Sequence, residues 1–223
     1  MSWLRLYIIV EGQAEKAFAD QALTPYLANY NIEVKPRVVL TNRKLGKRGG
    51  ILDFAKIEGD LIRLMRQDRH QEARFTTMLD LYALPNEFPG WDEAQRTSGP
   101  LEKVTTLEEA LKQEFDDERF HPYIQLHEFE ALLYCDLGEL QRRLSDSAHG
   151  IAALQSEVRH LQPEEINEGA TTAPSKRIIR HLPVYERSKV RVGAPAAAAI
   201  GLPNLRARCP HFDQWLTRLE QLT

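Results

Sequence analysis

The chain has 223 residues, of which 43% are hydrophobic and 27% charged, and its formal net charge is -3. These values fit one sizeable globular domain, or a domain with a small appendage, and they exclude a chain that is basic throughout. No apolar run is long enough to cross a bilayer, and the start, MSWLRLY, is not of the signal-peptide type. Cys135 and Cys209 lack partners at metal-site spacing, so we expect reduced structural thiols in a cytoplasmic protein.

An almost continuous apolar run over residues 4–10 predicts a strand buried on both faces, as in a parallel sheet. Glu11 follows it, Gly12 is expected to let the backbone turn, and a helix is expected over residues 15–29. Glu15 can then point back towards Glu11. Open α/β sheets bind ligands at this edge, and a divalent cation would relieve the repulsion between two such carboxylates. For this pair alone, ordinary surface acids are an equally good interpretation.

A second strand is predicted over residues 32–40, and a basic, glycine-containing segment follows it. The candidate phosphate-binding residues of this segment are Arg43, Lys44, Lys47 and Arg48, because cationic side chains and glycine amides suit anions. The segment is not a Walker motif, since the lysine-serine/threonine ending is absent. A solvated loop is the alternative. A helix is predicted over residues 51–69.

A third strand is predicted over residues 74–82, and Asp80 lies near its end. If this strand and the first are neighbours in one parallel sheet, Asp80 and Glu11 lie side by side. The turn-rich loop 84–91 carries aromatic residues that could stack on bases or plug the side of the domain. A surface helix is predicted over residues 106–117.

A fourth short strand over residues 120–126 leads into His127, Glu128 and Glu130. On a helix, side chains two residues apart point in different directions, so we expect only one of the two glutamates to face a site. His127 would share a face with Glu130 and is a candidate ligand or proton carrier. A capping or buried hydrogen-bonding histidine is the alternative.

The remainder, residues 136–223, is predicted to be mainly helical, with a final helix over residues 212–222. Lysines and arginines outnumber acids from Pro174 onward. Lys176 stands at the start of a helix, where it could neutralise charge on a phosphate during bond cleavage, and Arg177 is a further candidate phosphate ligand. An exposed helix residue is the alternative for Lys176.

Five blocks in this order resemble the DUF 4276 family, which is placed among the Toprim-like proteins: VEGQAE, MLDLYALPNEFPGW, PYIQLHEFEALLY, INEGATTAPSKRI and GLPNLRARCPHFDQWL. The resemblance implies an α/β, Toprim-like fold with a central, mostly parallel sheet of about four strands flanked by helices. This domain is expected in residues 1–135. Residues 136–223 are expected to form a helical, basic C-terminal extension packed on the same domain.

The resemblance also implies a Mg²⁺ or Mn²⁺ site. Glu11 matches the glutamate after the first strand, Glu15 resembles the second glutamate of the EGxxE form of OLD-type nucleases, and Asp80 matches the first acid of an Asp-x-Asp pair. Tyr82 stands where the second aspartate of that pair is expected, which weakens the metal site or shifts a ligand elsewhere.

The replacement ligand is expected to be Glu128 or Glu130. Lys176 resembles the lysine of OLD-type sites by its position in the chain.

These implications favour a metal-dependent nuclease acting on DNA or RNA, with no membrane association. Related nucleases work with an ABC-type ATPase, which would be a separate partner here. A role in defence against phage follows by analogy only. A non-catalytic adaptor or effector of an ATPase complex is the first alternative, and a primase-like nucleotidyl transferase is the second. A homo-oligomer is left open.

Overall fold

The computed structural model describes residues 3–39, 53–166, 169 and 171–223. Its sheet has five parallel strands in the order β2-β1-β3-β4, and β5 pairs with β3 beyond the end of β4. The strands are β1 (Leu4–Val10), β2 (Ile32–Val38), β3 (Ala73–Asp80), β4 (Phe120–His121) and β5 (Ile124–Gln125). The prediction of a mostly parallel α/β sheet flanked by helices is therefore confirmed.

The predicted fourth strand is divided into β4 and β5 at Pro122, which has no backbone N–H to donate to the ladder. The hydroxyl of Thr77 bridges the gap. It accepts from the N–H of Tyr123 at 2.9 Å and donates to the carbonyl of Tyr123 at 2.8 Å. The chain thus stays beside β3 as far as Gln125, and residues 127–130 follow at the edge where β1 and β3 end.

Eleven α-helices are described in these parts of the chain, and short 3-10 or π-helical turns join several of them. The helices are α1 (Gln13–Phe18), α2 (Thr24–Leu27), α3 (Phe54–Gln67), α4 (Trp91–Ala94), α5 (Pro100–Phe115), α6 (Gly138–Arg143), α7 (Ala148–Val158), α8 (Pro174–His181), α9 (Ala194–Ile200), α10 (Leu202–Arg208) and α11 (Pro210–Glu220). None of the helices in the described ranges is long and apolar enough to cross a membrane.

Two apolar cores cover the two faces of the sheet. Leu6, Ile8 and Val10 of β1 belong to the core that contains Phe18 and the C-terminal helices. The other face of the sheet packs against α3 and α5. Trp215 of α11 reaches the sheet itself, because its indole N–H donates to Oγ1 of Thr76 at 2.9 Å. The C-terminal helices therefore complete the fold on which the strand ends depend.

Several predicted boundaries were wrong, and the reasons are local. The helix expected at Thr106 begins at Pro100, because proline fits the first turn of a helix, where its missing N–H costs no bond. Residues 136–161, predicted to be mainly helical, contain α6 and α7 with a break between them. In the loop after β3, Phe88 is buried against Phe54, with ring centroids 5.4 Å apart, so it plugs the side of the domain.

Candidate metal-binding site

Carboxylates from four separate segments meet at the carboxyl ends of β1 and β3. We call this group the acidic cluster: Glu11, Glu15, Asp80, Glu128 and Glu130. Burial raises the pKa of Asp80, and repulsion from the other four acids raises it further. Because parallel strands β1 and β3 are hydrogen-bonded neighbours, their two acids end at the same edge of the sheet. The structure thus places Glu11 beside Asp80.

Glu11 and Asp80 are close neighbours. The backbone amide of Asp80 opposes the rise in the pKa of Glu11, while Oδ1 of Asp80 accepts the N–H of Phe129 at 2.8 Å. Burial, followed by repulsion from Glu15, raises the pKa of Glu11 to about 8. Its Oε2 atom is buried and has no hydrogen-bond partner among the described residues. This oxygen is available to a cation.

Glu15, expected to point back towards Glu11, has its carboxylate close to Gly12 and repels Glu11. Gly12 does not make a left-handed turn. Gly12 is extended, with φ -146° and ψ -171°, and any residue can adopt this conformation. A Cβ atom on Gly12 would lie 3.0 Å from Oε2 of Glu15, so glycine is favoured by close approach. Burial raises the pKa of Glu15 to about 7, although the backbone amides of Glu15 and Gly12 lower it.

The expectation that only one of Glu128 and Glu130 faces the site is not supported by the backbone. Glu128 is extended, with φ -145° and ψ 159°, and precedes the 3-10 helix Phe129–Cys135. The spacing rule for one α-helix therefore does not apply, and both carboxylates are near enough to Asp80 to raise its pKa. Burial, followed by repulsion from Glu130, raises the pKa of Glu128. Glu128 is held by Ser175, whose N–H and hydroxyl donate to its two oxygens at 2.8 and 3.0 Å.

The lysine described within this group is Lys189, which the sequence analysis did not single out. Its Nζ lies 2.9 Å from Oε1 of Glu130. Lys176, which was singled out, is exposed on α8, next to Ser175. Local spacing could not distinguish the two lysines, because Lys189 reaches Glu130 only through the folding of the segment between α8 and α9.

Two other candidate residues have structural contacts. His127 is buried, its Nε2 lies 3.0 Å from the carbonyl oxygen of Glu164, and its backbone has φ +63°. This arrangement matches the buried hydrogen-bonding alternative. Arg177 donates to the carbonyl of Thr172 at 2.7 Å and pairs with Glu157. Its guanidinium is therefore already engaged within the protein.

The candidate phosphate ligands Arg43, Lys44, Lys47 and Arg48 lie outside the described residues.

The donor set of the acidic cluster fits a hard divalent cation. Carboxylate oxygens are the ligands of Mg²⁺ and Mn²⁺, and the unpartnered Oε2 of Glu11 supplies one of them. Lys189 neutralises one carboxylate at most. In the part of the chain that the structure describes, no three His, Cys, Asp or Glu side chains already stand at coordinating distances. The acids therefore lie near one another, but not at the mutual distances at which three of them would coordinate one ion.

The described cavities lie elsewhere. One of about 290 Å³ is lined by Tyr134, Cys135 and Arg208 among others, and one of about 330 Å³ by Lys112 and His121 among others. Neither contains a member of the acidic cluster. The cavities and the acidic cluster are therefore at different places. We place the candidate site at the acidic cluster, because shifted carboxyl pKa values indicate a functional site more directly than cavity volume does.

These features define an α/β protein with a carboxylate-rich site at the carboxyl edge of a parallel sheet. The sequence matches the family described as "Domain of unknown function (DUF4276)" over residues 10–220, and the chain belongs to that family. No curated protein sequence matches the chain.

Solved structures with similar chains include C-terminal regions of two OLD proteins. The region from Burkholderia pseudomallei is 19% identical, with a TM-score of 0.48, over 99% of this chain and 100% of that one. A structure of the region from Xanthomonas campestris pv. campestris, phased with mercury, is 14% identical, with a TM-score of 0.34, over 96% and 97%.

Proposed function

We propose that the protein is a metal-dependent nuclease that cleaves phosphodiester bonds of DNA or RNA. The observation that carries the proposal is the convergence of the acidic cluster with Lys189 at the carboxyl ends of β1 and β3. Such a group is unfavourable without a cation, because burial and repulsion both raise carboxyl pKa values. Sites of this composition suit chemistry on a polyanion, which brings its phosphates to the bound metal.

The protein's own residues would divide the work. Glu11, Asp80 and an acid from the pair Glu128 and Glu130 would hold one or two ions of Mg²⁺ or Mn²⁺. A bound ion supplies Lewis acidity and an activated water. Glu15, whose carboxylate lies close to Gly12, would orient the carboxylate of Glu11 by repulsion and limit its rotation.

Two cationic or polar groups would support these acids. Lys189 would offset negative charge on the phosphate, at a site where burial strengthens electrostatic effects. Ser175, which donates two hydrogen bonds to Glu128, would hold that acid in place for the metal. We include a separate ATPase as the partner in this proposal, with a role in defence against phage by analogy.

The test is cleavage of plasmid DNA and of RNA by the purified protein with Mn²⁺, with EDTA, and after Glu11→Gln. Glu114→Gln on exposed α5 is the matched control. We expect Mn²⁺-dependent cleavage that EDTA and Glu11→Gln abolish and Glu114→Gln preserves. Because activity could require a partner, bound Mn²⁺ is measured in parallel by electron paramagnetic resonance. Cleavage that survives EDTA and Glu11→Gln, or Mn²⁺ binding that Glu11→Gln leaves unchanged, would refute the proposal.

A non-catalytic adaptor is the second candidate, and one observation favours it. Tyr82 occupies the place where a further metal-binding aspartate is expected, and the acids of the described ranges do not close around an ion. An adaptor would bind Mn²⁺ through Glu11 and yet cleave neither substrate, even when its ATPase partner is supplied. The same two measurements, made with the ATPase partner present, therefore separate the two candidates.

A further inference from the structure

Tyr82 lies on the rim of the acidic cluster. Its backbone N–H donates to the carbonyl of His127 at 3.0 Å. This bond fixes Tyr82 between Asp80, two residues earlier in the chain, and Glu128, which follows His127. Its side chain is 44% exposed, whereas Leu81 beside it is buried and anchors the 3-10 turn Leu81–Ala83. A firmly held backbone thus presents an open aromatic residue next to two of the acids.

Two aromatic residues that follow Tyr82 in the chain are less exposed than Tyr82. Phe88 packs against Phe54 and is buried. The ring of Trp91 has Nζ of Lys103 5.2 Å from its centroid. A single exposed apolar residue is ordinary on a protein surface. An exposed aromatic residue whose backbone adjoins a carboxylate cluster can reach a nucleotide's base when the phosphate of that nucleotide is at the cluster.

We propose that Tyr82 is a stacking platform for a base next to the scissile phosphate, and that the substrate strand is therefore single-stranded or locally unpaired. The inference rests on the proposed nuclease function and names its substrate class. Stacking needs an open base face, which a paired base inside a duplex does not offer. The aromatic ring tolerates any base sequence, because every base has such a face.

Binding tests the inference without any cleavage. Fluorescein-labelled dT12, rU12 and a 12-base-pair DNA duplex are titrated with full-length protein in Ca²⁺, and fluorescence anisotropy gives each dissociation constant. The variants are Tyr82→Ala, Tyr82→Phe and Trp3→Ala. Trp3 is 50% exposed and precedes β1, so it lies at the opposite edge of the sheet and is the matched aromatic control. Thermal melts confirm that each variant is folded.

We expect Tyr82→Ala to weaken binding of the single strands about tenfold, within the range for one stacked base, and to leave the duplex unchanged. Tyr82→Phe and Trp3→Ala should stay within about twofold of wild type, since the ring and not the hydroxyl does the stacking. A 2-aminopurine base in the single strand should lose fluorescence with wild type and keep it with Tyr82→Ala.

The inference is overturned if Tyr82→Ala keeps its affinity for the single strands, or loses as much affinity for the duplex as for the single strands. It is also overturned if Tyr82→Phe loses as much affinity as Tyr82→Ala, or if the wild-type protein does not bind single strands. The proposed function fails separately, in the Mn²⁺ and Glu11→Gln measurements. If binding depends on Tyr82 but there is no metal-dependent cleavage, the protein binds single strands without being a nuclease. Metal-dependent cleavage without Tyr82-dependent binding would leave a nuclease with another substrate contact.

Discussion

Nζ of Lys189 lies 2.9 Å from Oε1 of Glu130, and the hydroxyl of Tyr185 lies 3.4 Å from the same oxygen. Burial lowers the pKa of Lys189, but attraction to Glu130, Glu128 and Asp80 outweighs burial, so its pKa is raised. The side chain is 37% exposed, which leaves it open to a ligand on one side. A lysine that is held charged beside the acids and still reachable is suited to contact a phosphate.

We therefore predict that Lys189→Ala lowers the rate of Mn²⁺-dependent cleavage by about 100-fold, the size of effect expected for one lost electrostatic contact to a transition state. Lys176→Ala, on the exposed start of α8, should change the rate much less. Initial rates on plasmid DNA, at saturating Mn²⁺, give the comparison. Lys189→Arg should recover part of the rate. A larger loss of rate in Lys176→Ala than in Lys189→Ala would mean that Lys176, as the sequence predicted, is the lysine that contacts the phosphate.

The stability of the metal-free protein should fall as pH rises from 5 to 9. The pKa of Glu11 is raised to about 8, so folding favours its neutral form. That contribution is full below the unfolded pKa of about 4.5 and is lost as pH rises through the folded pKa of about 8. Glu11→Gln removes the ionisation, and we expect it to raise the melting temperature in EDTA at pH 8.5 by about 2–4 °C, the shift for about 1 kcal/mol.

Differential scanning fluorimetry in EDTA from pH 5 to 9 measures this effect. Glu114→Gln on α5 is the matched control and should follow the wild-type curve, because Glu114 is exposed. A Glu11→Gln protein that melts below wild type at pH 8.5 would mean that the ionised carboxylate stabilises the fold, contrary to the contacts around it.

Mn²⁺ should stabilise the wild-type protein, and more strongly at pH 8.5 than at pH 5.5, because protons compete for the same oxygens. At a free ion concentration of about 100 times the dissociation constant, the gain is about 2.7 kcal/mol. Asp80→Asn should reduce the gain. The melting temperature with Mn²⁺ and with EDTA, at both pH values, gives the measurement. A gain of the same size in Asp80→Asn would place the ion elsewhere.

The strand ends were accessible from sequence because β1 and β3 are apolar runs that stop at an acid. Neighbouring parallel strands then bring Glu11 and Asp80 to one edge, and both the pairing of the strands and the meeting of the acids appear in the structure. Hydrophobic periodicity carries this information directly.

The remaining features depend on backbone conformation and distant contacts. Glu128 is extended and precedes a 3-10 helix, and a helical pattern gives no sign of this conformation. Lys189 reaches Glu130 across 59 residues of chain, and Ser175 reaches Glu128 across 47, at separations that no local spacing encodes. In the segment 174–177 the sequence analysis singled out Lys176 and Arg177, whereas the described contact to the cluster comes from Ser175.

Asp68 stabilises the fold at a distance from the acidic cluster. At the other end of β1, Arg5 donates two hydrogen bonds to Asp68, at 2.6 and 2.9 Å, and the hydroxyl of Tyr7 donates a third at 3.0 Å. These contacts hold the pKa of Asp68 well below its usual range, and the hydrogen bonds from Arg5 are the main cause. Their stabilisation is present above the unfolded pKa of about 3.8 and is lost as pH falls below it.

Asp68→Asn should lower the free energy of unfolding at pH 7 by about 1.5–3 kcal/mol, because it replaces hydrogen bonds to a charged group. Asp20→Asn is the matched control. Asp20 pairs with Lys16 at 2.6 Å but is 46% exposed, so its loss should cost less than about 1 kcal/mol. Urea unfolding measures both. The Mn²⁺-induced rise in melting temperature should be the same in Asp68→Asn as in wild type, since Arg5 lies six residues from Glu11 along the strand, about 20 Å away. A reduced rise would mean that this end of β1 and the acidic cluster are coupled.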